Sequence, residues 1–145
     1  MNEITLLQLI GEQSDQIQPD LADALTSLSF IDYIEVHVDP DPARTCQRIA
    51  QAKTANNLIV IATGDSCSQL PAIALAQRAS GKQILSYQLI EPNLPAFTDS
   101  WPQAPITAHY PKGFSIPKEI ALRGIVVVEF TNSQGFAQFI DNCLP

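Results

Sequence analysis

The run Leu58-Ile-Val-Ile-Ala-Thr63 restricts the fold more than any other stretch. It is rich in β-branched residues, carries no charge, and is stopped by Gly64-Asp65-Ser66. A strand without a polar face must be covered on both sides, which is the situation of a parallel strand between two layers of helices. The residues Pro71-Ala-Ile-Ala-Leu-Ala76 then read as a helix, so the stretch between is a strand-to-helix turn. In open parallel sheets, ligands collect beyond the carboxyl ends of the strands, and the amides that open the next helix can receive an anion. Ser66 stands at that place and is the first candidate functional residue.

The flanking sequence repeats the alternation. Ile4 to Ile10, Ile31 to Val38, Gln83 to Ile90, Ile106 to Tyr110 and Gly124 to Phe130 read as further strands. Between them lie helical patterns. One has Pro19 near its first turn and Leu21, Ala24, Leu25 and Leu28 at the helical period. A second starts at Pro42 under an Asp41 cap and runs to about Ala55, with Ala43, Cys46, Ile49 and Ala50 inward. A third stops near Gly81, a short turn covers Lys118 to Leu122, and Ser133 to Cys143 closes the chain. Tyr33, Glu35 and His37 alternate with Ile34, Val36 and Val38, the half-polar pattern of an edge strand. Asn93 to Pro105 is an irregular stretch containing the only tryptophan, Trp101. The expected fold is one α/β domain over residues 1–145, a mainly parallel six-stranded sheet with helices on both faces.

Composition removes several function classes. The formal net charge is −7, and the eight Lys and Arg residues are scattered, so nucleic acid is not an expected partner. No apolar run approaches the roughly 20 residues that span a bilayer, and Met1-Asn-Glu-Ile4 lacks the basic start of a secretory signal. The expectation is a cytoplasmic protein that does not engage a membrane. Cys46, Cys67 and Cys143 show neither a disulfide framework nor zinc-ligand spacing. No Gly-x-Gly-x-x-Gly or Gly-Lys-Ser/Thr occurs, and no cofactor is expected. Asp39, Asp41, Asp65 and Glu91 fall at strand ends, but their spacing matches no calcium loop, so no metal is expected.

Gly64-Asp65-Ser66-Cys67-Ser68 resembles the Gly-x-Ser-x-Gly nucleophile elbow of the α/β-hydrolase superfamily, with Ser68 in place of the second glycine. Gln83 to Pro92 is similar to the next strand of that fold and its acidic end. Trp101-Pro-Gln-Ala-Pro resembles the Trp-Pro-x-Ala-Pro approach to its seventh strand. The resemblance covers nearly the whole chain, as a minimal α/β-hydrolase-like core without the first two strands or a lid. It implies that Ser66 is the nucleophile position and that the Cys67 amide is an oxyanion donor. Gly11 is what remains of the second donor region, where the superfamily has His-Gly and this chain has Ile10-Gly11-Glu12. An ordinary turn, with Asp65, Ser66 or Ser68 capping the helix, is the alternative, and Cys67 beside a helix start is a candidate reactive thiol.

Acyl transfer also needs a base. The superfamily carries its histidine after the last strand, where this chain has Phe130-Thr-Asn-Ser-Gln-Gly135. Only His37 and His109 are present. His109 is the candidate base from an unusual place, yet in the superfamily's strand order each histidine is two strands from Ser66, on the order of 10 Å at ordinary strand spacing. A proton transfer needs about 2.6 to 3.2 Å. The expected function is a hydrolase-like protein with weak or absent ester hydrolysis. The alternatives are small-ligand binding in the crevice through Ser66, Asp65, Glu91 and Trp101, and an assembly module, homo-oligomeric or with a protein partner, that uses the Trp101 loop. A flavodoxin-like or nucleotide-binding domain competes at the level of fold.

Overall fold

The computed structural model describes residues 3–11, 21–28, 31–95 and 102–143. The elements are β1 (Ile4–Ile10), α1 (Leu21–Thr26), β2 (Asp32–His37), α2 (Pro42–Gln51), β3 (Asn57–Thr63), a 3-10 helix (Gly64–Gln69), α3 (Leu70–Ser80), β4 (Gln83–Ile90), β5 (Ile106–Pro111), α4 (Lys118–Leu122), β6 (Val126–Phe130) and α5 (Ser133–Cys143). Pro19 lies outside the described residues. The strands form one six-stranded sheet in the order β2-β1-β3-β4-β5-β6, and every neighbouring pair is parallel.

The apolar run behaves as its composition requires. Every residue from Leu58 to Thr63 is buried. Val60 and Ala62 join Leu7, Leu89 and Ala108 beneath α2 and α3, while Ile59 and Ile61 join Leu6, Ile90 and Phe130 beneath α1 and α5. Alternate side chains of one strand thus enter two separate cores. β2 is an edge strand, with Asp32 and Glu35 exposed and Val36 buried. Charge on such a strand discourages pairing with other chains.

The second helix departs from expectation in length and face. It stops at Gln51, where the Ala52 amide closes onto the Arg48 and Ile49 carbonyls. Ala43 and Ala50 are exposed, Cys46 is half-buried, and Thr45 and Ile49 are the buried positions. An alanine offers too little surface to set a helix's orientation, whereas the Thr45 hydroxyl accepts the Asp39 amide (2.8 Å) and fixes the turn. The Asp41 cap is present, its carboxylate accepting the Ala43 amide (3.0 Å). α3 ends at Gly81 in the left-handed region (φ 79°), where a glycine carries no side-chain penalty. Among the described residues no helix lies between β4 and β5, and none is long and apolar enough to cross a membrane.

Burial on both faces makes β3 a sensitive strand. Ile61→Ala, at a fully buried position, is expected to lower unfolding free energy by about 2–5 kcal/mol. Leu122→Ala, at a position 85% exposed, should change it by less than about 0.5 kcal/mol. Urea denaturation of both variants checks this, and similar losses in the two would contradict it.

Candidate functional site

The chain leaves β1 toward β2 on one side and returns to place β3 on the other. The carboxyl ends of β1 and β3 therefore flank the switch point at which doubly wound sheets form a crevice. Gly11 follows β1 there, and Gly64 to Ser66 follow β3. Glu91 stands at the end of β4, the other neighbour of β3. The fold thus brings together the ends that carry Gly11, Asp65, Ser66, Cys67 and Glu91. Trp101 lies outside the described residues.

The turn after β3 is a full 3-10 helix that continues into α3. Gly64 carries its left-handed backbone (φ 53°), and a Cβ added there would meet nothing within 4 Å, so the demand for glycine is conformational. Ser66 is not among the positive-φ residues. The nucleophile of a hydrolase elbow sits on a strained turn; here the positive φ falls two residues earlier, on a glycine that adopts it without strain. Ser66 is 5% exposed, Asp65 and Ser68 face solvent, and none of the three caps a helix, which corrects that expectation. Instead, Asp65 accepts the Asn93 side-chain amide (2.5 Å), and the Asn93 backbone amide donates to the Gly64 carbonyl (3.1 Å). Turn and loop are clamped together.

Glu91 is the one described non-glycine residue with positive φ (44°), its amide held by the His109 carbonyl (3.0 Å). Strain of this kind at a strand end gathers at functional sites. Cys67 is fully buried, and burial first, then the Asp65 charge, pushes its thiol up. It is therefore a protonated core residue rather than a reactive thiolate. The Tyr110 phenol, 1% exposed and stacked on Phe114, has no hydrogen-bond partner for its hydroxyl among the described residues. Burial, Cys67, Glu91 and Glu119 all push its ionisation up. Sequence reading did not single out Tyr110 or Asn93. The Tyr110 position is visible only once the register puts that side chain on the face of Cys67.

Both histidine-bearing strands lie two places from β3, one on each side. His37 is exposed at the sheet edge, and its carbonyl accepts from Arg48 (2.7 Å), which also pairs with Asp39 (3.2 Å). His109 is fully buried on the α1/α5 side, in edge contact with the rings of Phe136 (4.7 Å) and Phe139 (4.9 Å). Its Nε2 meets Gln88 Oε1 at 2.7 Å, and the Gln88 amide nitrogen donates to the Ser86 hydroxyl (3.0 Å). An amide oxygen facing the ring assigns the imidazole proton to Nε2. Nδ1 is buried and without a hydrogen-bond partner among the described residues. No three His, Cys, Asp or Glu side chains of the described residues gather to hold a metal. No family model and no curated protein sequence matches the chain.

Burial lowers the His109 pKa to about 4. The unfolded chain, with an ordinary value near 6.5, takes up the proton first on acidification. The stabilisation from keeping His109 neutral is complete above about pH 6.5 and is lost as pH falls toward 4, by up to about 3 kcal/mol. Urea denaturation between pH 7 and pH 5 should show this slope in the wild type and a flatter one in His109→Gln. An equal slope in both would contradict the assignment.

Proposed function

We propose that the chain is an α/β-hydrolase-like domain that retains the nucleophile position, Ser66, without the base to activate it, and that hydrolyses esters weakly or not at all. The carrying observation is the commitment of His109 to a buried contact with Gln88, Phe136 and Phe139, two strands from the Ser66 turn. An imidazole activates a serine only within hydrogen-bond reach. The parallel strand order, the position of the turn after a central strand, and the absence of a histidine from Thr131 to Gly135 support the reading. The relaxed backbone at Ser66 and its burial point the same way.

A second reading has an observation of its own. The switch point between β1 and β3 favours small-ligand binding beside Gly11 and Ser66 without turnover. Its neutral and acidic surroundings, with Asp65 and Glu91 at the strand ends, favour an uncharged ligand over an anion.

Hydrolysis of short p-nitrophenyl esters tests the principal reading. Turnover is expected far below the roughly 10 per second of a typical enzyme, and Ser66→Ala should leave the residual rate unchanged. A rate of about 1 per second or more, abolished by Ser66→Ala, would overturn it.

A further inference from the structure

At the opposite end of the sheet lies an open groove of about 260 Å³ between the end of α3, the start of β4 and the residues that lead into β5. It arises from the crossover between β4 and β5, which has no helix among the described residues to cover this face of β4. Its far wall is fixed, because the Tyr87 amide bonds to the Pro105 carbonyl (2.9 Å) just beyond Gln103.

The chemistry of the lining runs against that of the chain. The protein has fifteen acidic and eight basic residues, yet among the described residues Arg78 and Lys82 both line the groove and no carboxylate does. The other polar groups are neutral. Gln77 is 7% exposed, and its Oε1 accepts the Ser80 hydroxyl (3.0 Å), which leaves the amide NH2 to donate. Gln103 adds a second amide, while Tyr87 and Ile84 give an apolar floor. Burial raises the Tyr87 pKa, and Arg78 acts in the opposite direction, which places that cation beside the phenol.

We propose that this groove binds a small organic anion, its carboxylate or phosphate oxygens held by Lys82 and Arg78 and its body resting on Ile84 and Tyr87. The volume is below the range of roughly 300–1,000 Å³ typical of drug-sized ligands, so the occupant is a small metabolite rather than a dinucleotide. Lys82 adjoins the start of β4, whose far end, Ile90, pairs with Thr63 before the Ser66 turn about 20 Å along the strand, so the proposal does not depend on the reading of that turn.

Amide NMR spectra recorded during titration with phenyl phosphate, benzoate and, as a neutral control, phenol provide the test. At least one anion should shift the amides of 77–84 and 102–105 to saturation, with phenol leaving them unsaturated; which anion saturates identifies the headgroup. Lys82→Gln should weaken binding by about tenfold, the size of a lost charge-assisted contact, and Lys82→Arg should retain it. The dispersion of each variant's spectrum reports its fold. Saturation by neither anion, equal affinity in Lys82→Gln, or shifts centred on 64–69 would overturn the proposal.

Discussion

A parallel sheet is stable only when helices exclude water from both of its faces, and the rest of this structure depends on meeting that condition. Leu58 to Ala62 have no polar face to offer, so β3 must lie inside, and helices must alternate with strands to supply α2 and α3 on one side and α1 and α5 on the other. Alternation also gathers every strand's carboxyl end at one edge. Gly11, the Ser66 turn and Glu91 are neighbours there because of chain direction and strand order, before any side-chain chemistry acts.

The same burial decides what the histidine near that edge can do. In a layer built mainly from leucine, isoleucine and phenylalanine, a row of polar side chains runs from Ser86 through Gln88 to His109. A buried polar group is tolerated when it is hydrogen-bonded and uncharged. Gln88 satisfies Nε2, and desolvation keeps the ring neutral. These contacts hold His109 against α5, on a strand two places from the one that carries the Ser66 turn. Farther along the sheet, the Tyr33 hydroxyl donates to Gln8 by a comparable arrangement.

Much of this was legible in the residues. The six strands, the αL stop at Gly81, the Asp41 cap, the edge character of β2 and the closing helix Ser133–Cys143 follow from period, caps and alternation, which are local signals. The inward face of α2 was not legible, because Thr45 is recruited by a bond to Asp39 that depends on how β2 ends. A capped helix start was the alternative reading of the Ser66 turn, and the structure replaces capping with a 3-10 helix and the Asp65–Asn93 clamp. Asn93 sits 28 residues away in the chain, and local sequence carries no trace of such a partner. Polar Ser86 and Gln88, spaced by two on a strand otherwise apolar at its carboxyl end, were the visible sign that this face needed a buried partner, and His109 is that partner.

On the proposed reading, Ser66 has no activating base. Exposure to a fluorophosphonate, which forms a covalent bond only with an activated serine hydroxyl, followed by intact-mass and peptide mass spectrometry, tests it most directly. An unmodified chain is expected after incubation that fully labels a working serine esterase in the same tube. A stoichiometric adduct on Ser66, lost when His109 is replaced by glutamine, would contradict it.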